Sequence, residues 1–419
     1  MRSYVDLLRR EGDFRRVYIS QLVSLGGDWF ALIPLLTLLE RETGSGLWGG
    51  LVLAADTAVF ALVSPYAGTV VDRVDRRRIM VLADIASAAL VCVLLLVRGP
   101  ATAWIALVAI GGIAVAKAFY SPASSAALPN LVPRADLAAA NVLAGASWGT
   151  MLAVGAAAGG LLAAAVGESW CFGLDAASFL LSAVLTARTS LPFQEARERH
   201  ERRRMREDIA ETIAYARTEP RVVALLACKI GPGLGNGALA LFPVFVSKVY
   251  QGTAAATGLL FSARGLGALV GPFLMRRVTR RDEARLWPAL GVSMALFGLG
   301  YMTFAVVPSL VWALPVVFVA HVGGGANWIL STFGIQAIVP DHVRGRVFAA
   351  DYMIATAGIA VSQLVTGVLS DAFDVRPVAF GLGAVVLGYA GLWSLATRHV
   401  RHVAAAPEPV GSTAEGEVA

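Results

Sequence analysis

The chain has 419 residues, of which 57% are hydrophobic and only 15% charged, with a mean hydropathy of +0.67, a net charge of +6 and a pI near 9.5. Soluble domains carry roughly 25% charged residues, so this composition cannot clothe a water-facing surface and excludes a soluble globular protein. The basic excess does not point to nucleic acid either, because the arginines sit in short turns between apolar runs, which is the pattern of membrane topology.

Met1 to Arg16 is charged and amphipathic, and the apolar segment after it is too long for a cleavable signal. Taking ~20 apolar residues per crossing, twelve spans are expected, near residues 15–39, 47–71, 79–98, 102–124, 137–165, 169–190, 221–249, 255–275, 286–307, 310–336, 347–370 and 377–397. Lys and Arg collect in alternate loops. One set holds Arg73, Arg76, Arg77 and Arg78, then Arg134, then the dense run from Arg197 to Arg221. It continues with Arg276, Arg277, Arg280, Arg281 and Arg285, with Arg344 and Arg346, and with Arg398 and Arg401. The other loops hold little beyond Arg41, Arg98, Lys248 and Arg376. The excess of positive charge in cytoplasmic loops then predicts an inner (cytoplasmic) membrane protein with both termini in the cytoplasm.

The two halves echo each other. Gly68-x-x-x-Asp72-Arg73 returns as Gly271-x-x-x-Met275-Arg276, and LVPRADLAAA around Pro133 returns as IVPDHVRGRVFAA around Pro340. Such weak internal symmetry suits a transporter built from parallel repeats. The expected organisation is a six-helix bundle over 1–192, a cytoplasmic linker over 193–220, a second bundle over 221–398 and a disordered tail over 399–419. Ile209, Thr212, Ile213 and Ala216 recur at helical spacing and predict an amphipathic helix in the linker. Cys92, Cys171 and Cys228 lie in apolar segments without metal-ligand or disulfide spacing, and are expected to be buried, inert thiols. No P-loop, metal spacing or nucleophile motif is present, so neither ATP-driven transport, an enzyme nor a cofactor is expected.

Charges at bilayer depth are costly unless they face an aqueous cavity or a partner, which makes each one a functional candidate. Gln21, Ser24 and Asp28 form one polar stripe on span 1; Lys117, Ser121 and Ser124 form another on span 4. Asp28 is the candidate proton carrier, paired with Lys117 when the site is empty, since burial and a nearby ammonium pull a carboxyl's proton affinity in opposite directions. A purely structural pair, or unpaired polar residues at packing positions, are the alternatives. Lys229 and Asn236 are placed on one face of span 7, and His321, Trp328 and Thr332 on one face of span 10. Asp56, Arg264 and Asp175 lie at intermediate depth with no partner assignable, and Asp84 is read as structural.

Gly68-x-x-x-Asp72-Arg73-x-x-Arg76-Arg77 resembles the loop between helices 2 and 3 of the major facilitator superfamily, with Asp75 where a small residue is usual. FYSPASSAALPNLVPRADLAAAN, from Phe119 to Asn141, resembles the branch containing macrolide-efflux proteins, enterobactin exporters and transmembrane secretion effectors. Asp341-x-x-Arg344-Gly345-Arg346-Val347 is similar to that branch's second-half signature. Gly155-Ala-Ala-Ala-Gly159-Gly160 resembles the antiporter motif GPxxGG with Ala156 replacing the proline, although small residues at this spacing are also ordinary packing positions.

The resemblance implies an all-α polytopic fold of two pseudo-symmetric six-helix bundles, with helices 1, 4, 7 and 10 around a central cavity. Gln21, Ser24, Tyr120, Ser121, Lys229, Asn236, His321 and Trp328 are then expected to line it. The motif's acid would face the start of helix 11, so Gly68, Asp72, Arg73, Arg76 and Arg77, with Arg344 and Arg346, would form a cytoplasmic latch. The implied function is secondary active efflux: a proton antiporter, expected to be monomeric, that carries a small amphipathic molecule such as a drug, antibiotic or siderophore by alternating access. Its partners would be that molecule, protons and the lipid bilayer. A proton-coupled symporter importing a small solute, or a non-transporting membrane sensor, are the alternatives.

Overall fold

An unpaired backbone N–H or C=O costs several kcal/mol in hydrocarbon, so a chain this apolar must satisfy its backbone within its own segments. The computed structural model describes residues 4–71, 73–194, 215, 218–279 and 285–399; they are helical with short connections, and no strand occurs among them. Twelve spans are long and apolar enough to cross a membrane: Gly12–Thr43, Gly46–Val71, Arg76–Leu96, Pro100–Leu131, Arg134–Val166, Glu168–Ala187, Pro220–Lys248, Ala254–Leu274, Leu286–Val306, Leu310–Ile338, Val343–Ala372 and Val375–Ala396. They are numbered 1 to 12 in that order.

Local chemistry sets the ends. Gly44, at φ +66°, closes span 1 by donating its N–H to the Glu40 carbonyl at 2.8 Å, a left-handed cap that glycine adopts freely. Asp75 opens span 3 by accepting the Arg78 N–H at 2.8 Å, which gives a reason for an acid at this position. Span 4 runs through Pro122 and Pro129 to Leu131 instead of stopping near residue 124, because neighbouring helices can serve the backbone groups a proline frees. In the same turn Arg76 donates to the Ala126 carbonyl at 2.7 Å.

Span 7 is not one helix. It consists of Pro220–Cys228, Ile230–Gly235 and Ala238–Lys248, with Gly231-Pro232-Gly233 and Gly235-Asn236-Gly237 at the interruptions. Proline lacks the N–H a helix needs, and glycine is the poorest ordinary helix former.

The packing repeats with a shift of six. Span 1 packs on 5 and 6, 2 on 4, and 3 on 4 and 6; likewise 7 packs on 11 and 12, 8 on 10, and 9 on 10 and 12. Across the seam, span 2 meets span 11 and span 5 meets span 8, the same contact related by the repeat. Glycines make both crossings close. A Cβ on Gly50 would lie 2.6 Å from the Gln363 carbonyl oxygen and 3.0 Å from the Gly367 Cα, and one on Gly258 would lie 3.0 Å from the Gly160 Cα.

These approaches lie toward the end opposite the basic loops. There Asp371 also accepts the Gly46 N–H at 2.8 Å and the Ser45 hydroxyl, and Ser247 donates to Glu40 at 2.6 Å. Near mid-depth Phe60 meets Tyr352 with ring centroids 6.1 Å apart. Toward the basic end Leu62, Tyr66 and Met353 are exposed, and a side chain begun at Gly68 or Gly345 would meet nothing within 4 Å. The halves are therefore sealed at one end and parted at the other.

The first half is braced at its basic end. Asp13 accepts the Ser190 N–H at 2.8 Å, the Ser190 hydroxyl at 2.7 Å and the Leu191 N–H at 2.7 Å; Arg10 pairs with Asp136 at 3.1 Å. Arg76 and Asn130 both donate to the Phe193 carbonyl, at 3.1 and 2.8 Å. Of the cysteines, Cys171 and Cys228 are buried, but Cys92 is exposed, against expectation, because its side of span 3 has no neighbouring helix to cover it. Ile209, Thr212, Ile213 and Ala216 of the expected linker helix and the tail beyond His399 lie outside the described residues.

Candidate functional site

Span 1 is helical through Asp28 and span 4 through Lys117, and their packing brings the two side chains together: Lys117 Nζ lies 3.1 Å from Asp28 Oδ1. Asp56 of span 2 stands on the other side of the ammonium at 3.6 Å. With Asp175 of span 6, these residues line a cavity of about 20 Å³, room for one water molecule. Asp175 accepts from Ser178 at 3.1 Å, and Gly27 leaves space for both side chains against span 1. One ammonium thus serves two carboxylates, with a third carboxyl group lining the same cavity, and the Lys117 and Asp56 side chains are 31% and 34% exposed. Such an arrangement can take up a proton or another cation without leaving a bare charge in hydrocarbon. Nearby, Asp84 is buried and accepts from Ser182 at 2.6 Å.

A second charge pair lies in the other half. Lys229, where the first segment of span 7 ends, is bonded to Asp351 of span 11, with side chains 2% and 4% exposed. Thr332 lies 3.3 Å from the ammonium, and the Trp328 ring covers it with the centroid 4.4 Å away. Asp351 had drawn no attention in the sequence, since nothing along the chain links it to Lys229. Asn236 does not join them. The break in span 7 turns it back on its own segment, where it donates to the Pro232 carbonyl at 2.7 Å. His321 is buried and shares a hydrogen bond of 2.8 Å with Tyr301, against the ring of Phe297.

Between the halves stands Arg264 of span 8. Its guanidinium carbon is 5.6 Å from the ring centroids of Trp29 and Trp148, and 6.0 Å from that of Phe261. The two tryptophans belong to spans 1 and 5 and meet edge-on at 6.3 Å.

The remaining expected lining residues scatter. Gln21 donates to Ser124, Ser24 is buried, Ser121 is exposed, and Tyr120 packs half-buried in the apolar cluster at the first half's basic end. Of the expected latch, Asp72 lies outside the described residues. Arg73 is exposed, Arg76 is held by the Ala126 and Phe193 carbonyls, and Arg77 donates to Leu191 at 2.5 Å while lying over Phe193 at 5.1 Å. Arg344 donates to the Val339 carbonyl at 3.1 Å and Arg346 is half-buried. Among the described residues, Arg76 and Arg77 thus reach carbonyls of the first half. The GPxxGG-like stretch is a packing seam: Gly155 and Gly159 face Gly26 and Phe30 of span 1, and Gly160 faces span 8.

Comparison with known proteins agrees with this architecture. The sequence profile of the Major Facilitator Superfamily matches residues 18–362. The multidrug efflux pump Tap of Mycobacterium tuberculosis is 25% identical, covering 94% of this chain and 97% of its own length. Macrolide efflux protein A of Streptococcus pyogenes is 22% identical over 87% of this chain and 90% of its own. Among solved structures, a bacterial homologue of the human lysosomal transporter Spinster, in an inward-facing and unoccupied conformation, superposes with a TM-score of 0.71 at 15% identity, covering 97% of this chain and 100% of that one. A POT family transporter in complex with 5-aminolevulinic acid gives 0.75 at 12% identity, covering 93% and 96%. The last two likenesses concern the fold alone.

Proposed function

The chain belongs to the Major Facilitator Superfamily of transporters, and from that premise we propose that it is a secondary active exporter, a proton antiporter that carries a small amphipathic molecule (a drug, antibiotic or siderophore) out of the cell. The efflux relatives support the direction. The arginine-rich loops support an inner-membrane topology with both termini cytoplasmic, which makes the sealed end external and the parted end internal. In this reading residues 1–192 and 221–398 rock as a monomer's two halves, joined by the linker over 193–220. When they close inward, Asp72 meets the start of span 11 with Arg344 and Arg346.

The observation that carries the proton coupling is Lys117 held by Asp28 at 3.1 Å and Asp56 at 3.6 Å beside a small cavity. A proton reaching Asp28 removes its attraction for Lys117. The ammonium then leans on Asp56, and the first half loses a cross-brace between spans 1 and 4. Deprotonation restores it. Alternation of these two arrangements with the rocking of the halves couples proton entry to substrate exit.

The test is transport in inside-out vesicles under an imposed pH gradient, with norfloxacin, a fluorescent amphipathic aromatic drug that carries a carboxylate, as probe. The native protein should accumulate norfloxacin inside vesicles acidified internally, and collapsing the gradient should abolish that accumulation. Asp28→Asn should lose gradient-driven uptake at least about tenfold, while gradient-free exchange survives. Undiminished uphill uptake by Asp28→Asn would remove Asp28 as the carrier, and accumulation in the reverse direction would make the protein an importer.

A further inference from the structure

Arg264 sits halfway along span 8 at a depth where an uncompensated charge costs roughly 3 kcal/mol or more. Among the described residues it makes no hydrogen bond and no ion pair; its neighbours are the faces of Trp29, Trp148 and Phe261. Cation–π attraction contributes about 0.5–2 kcal/mol at such distances, which does not offset burial. None of the described residues offers an acceptor to the guanidinium's five N–H donors. The two lysines at similar depth each have a carboxylate beside them: Lys117 has Asp28 and Asp56, and Lys229 has Asp351. Arg264 is half-buried, and Trp148 is 44% exposed, so the place is reachable from outside the protein core. Trp29 and Trp148 come from one half and Arg264 from the other, so whatever binds here touches both moving parts.

We propose that Arg264 and the two tryptophans form a subsite for the acidic group of the substrate, a carboxylate carried on a flat aromatic body. The planar fork of a guanidinium accepts a carboxylate through two parallel hydrogen bonds. The open face of Trp148 receives the attached ring by stacking. The first half's carboxylates, already pledged to protons and Lys117, would repel such a group, so charge selects the seam over the Asp28 cluster. This inference rests on the transport reading in assuming a substrate cavity. It requires neither coupling nor direction, however, so an equilibrium binding measurement can fail or succeed independently of the vesicle experiment.

The experiment is equilibrium dialysis of the purified full-length protein in a lipid-free maltoside detergent against 1-naphthoate, 1-naphthylmethanol and 1-naphthylmethylammonium, read by ligand fluorescence. Native protein should bind naphthoate about tenfold or more tighter than the neutral alcohol, the size of one charge-assisted contact. Arg264→Gln should erase that preference, and Arg264→Lys should keep part of it, since lysine offers charge without the fork. Trp148→Leu should weaken naphthoate and alcohol alike, by about threefold. If Arg264→Gln does not elute as a folded species, the native-to-Lys comparison decides, with an unchanged naphthoate affinity counting against the proposal. No preference for naphthoate in the native protein, an equal preference in Arg264→Gln, or tighter binding of the ammonium would each overturn it. So would displacement of naphthoate by micromolar phosphatidylglycerol, which would assign the place to a lipid headgroup.

Discussion

Two lysines within the spans have been given opposite surroundings. Lys229 is 2% exposed, bonded to a single carboxylate that is itself 4% exposed, and roofed by Trp328. Lys117 is 31% exposed and stands between two carboxylates, with a third lining the same cavity. A matched pair sealed from water has nowhere to send a proton and nothing to exchange with, so it serves as a fixed strut between spans 7 and 11. A mismatched group beside water holds spare acidity and can change state. If the proposed coupling holds, intramembrane charge alone does not mark a working site; the surplus of one sign and the access to water do.

That contrast can be broken at its stiff end. Lys229→Met should leave Asp351 buried without a counter-charge and cost about 3–5 kcal/mol, seen as a steep fall in the melting temperature of the purified protein. Adding Asp351→Leu should recover most of the loss, since replacing a whole buried pair by apolar residues is often neutral. Equal melting of the single and double variants would mean that the two residues do not act as a strut. At the loose end, Lys117→Gln should cost less than about 1.5 kcal/mol, because water and protons can serve Asp28 and Asp56 in its place. Its pH profile of transport should flatten, however, and an unaltered profile with native stability would put Lys117 among the struts as well. The smallest effect should come from Asp56→Asn. It removes the longer and more exposed of the two contacts, so initial rates should change only about twofold to threefold with coupling retained; a complete loss of coupling would move the carrier from Asp28 to Asp56.

Much of this was readable along the chain, and the reasons for the rest are physical. Twelve crossings follow from runs of apolar residues because bilayer thickness fixes helix length. The approach of Asp28 to Lys117 was readable because both sit at mid-depth on stripes of polar residues. Asp56 and Asp351 were unassignable because their partners lie on other spans, and depth fixes only one of three coordinates. The breaks in span 7 were written in Gly231-Pro232-Gly233 and Gly235-Asn236-Gly237, but an averaged apolar run passes over such local punctuation. Asp13 looked like one more charge in an amphipathic leader, although it anchors the residues that follow span 6. The cage around Arg264 draws its rings from spans 1, 5 and 8, a coincidence in space that no spacing encodes.

The divided seventh span has a mechanical consequence. A continuous rod of this length resists flexing, because each degree of bend strains hydrogen bonds along the whole convex side. A rod already interrupted at Lys229 and at Asn236-Gly237 has given up part of that ladder in advance. In the proposed rocking, the second half would flex at joints that exist before any cargo arrives, whereas the first half, tied at its basic end by Asp13, Arg76 and Asn130, would move as a plank. Such a stroke is lopsided, with one rigid oar working against one that is jointed.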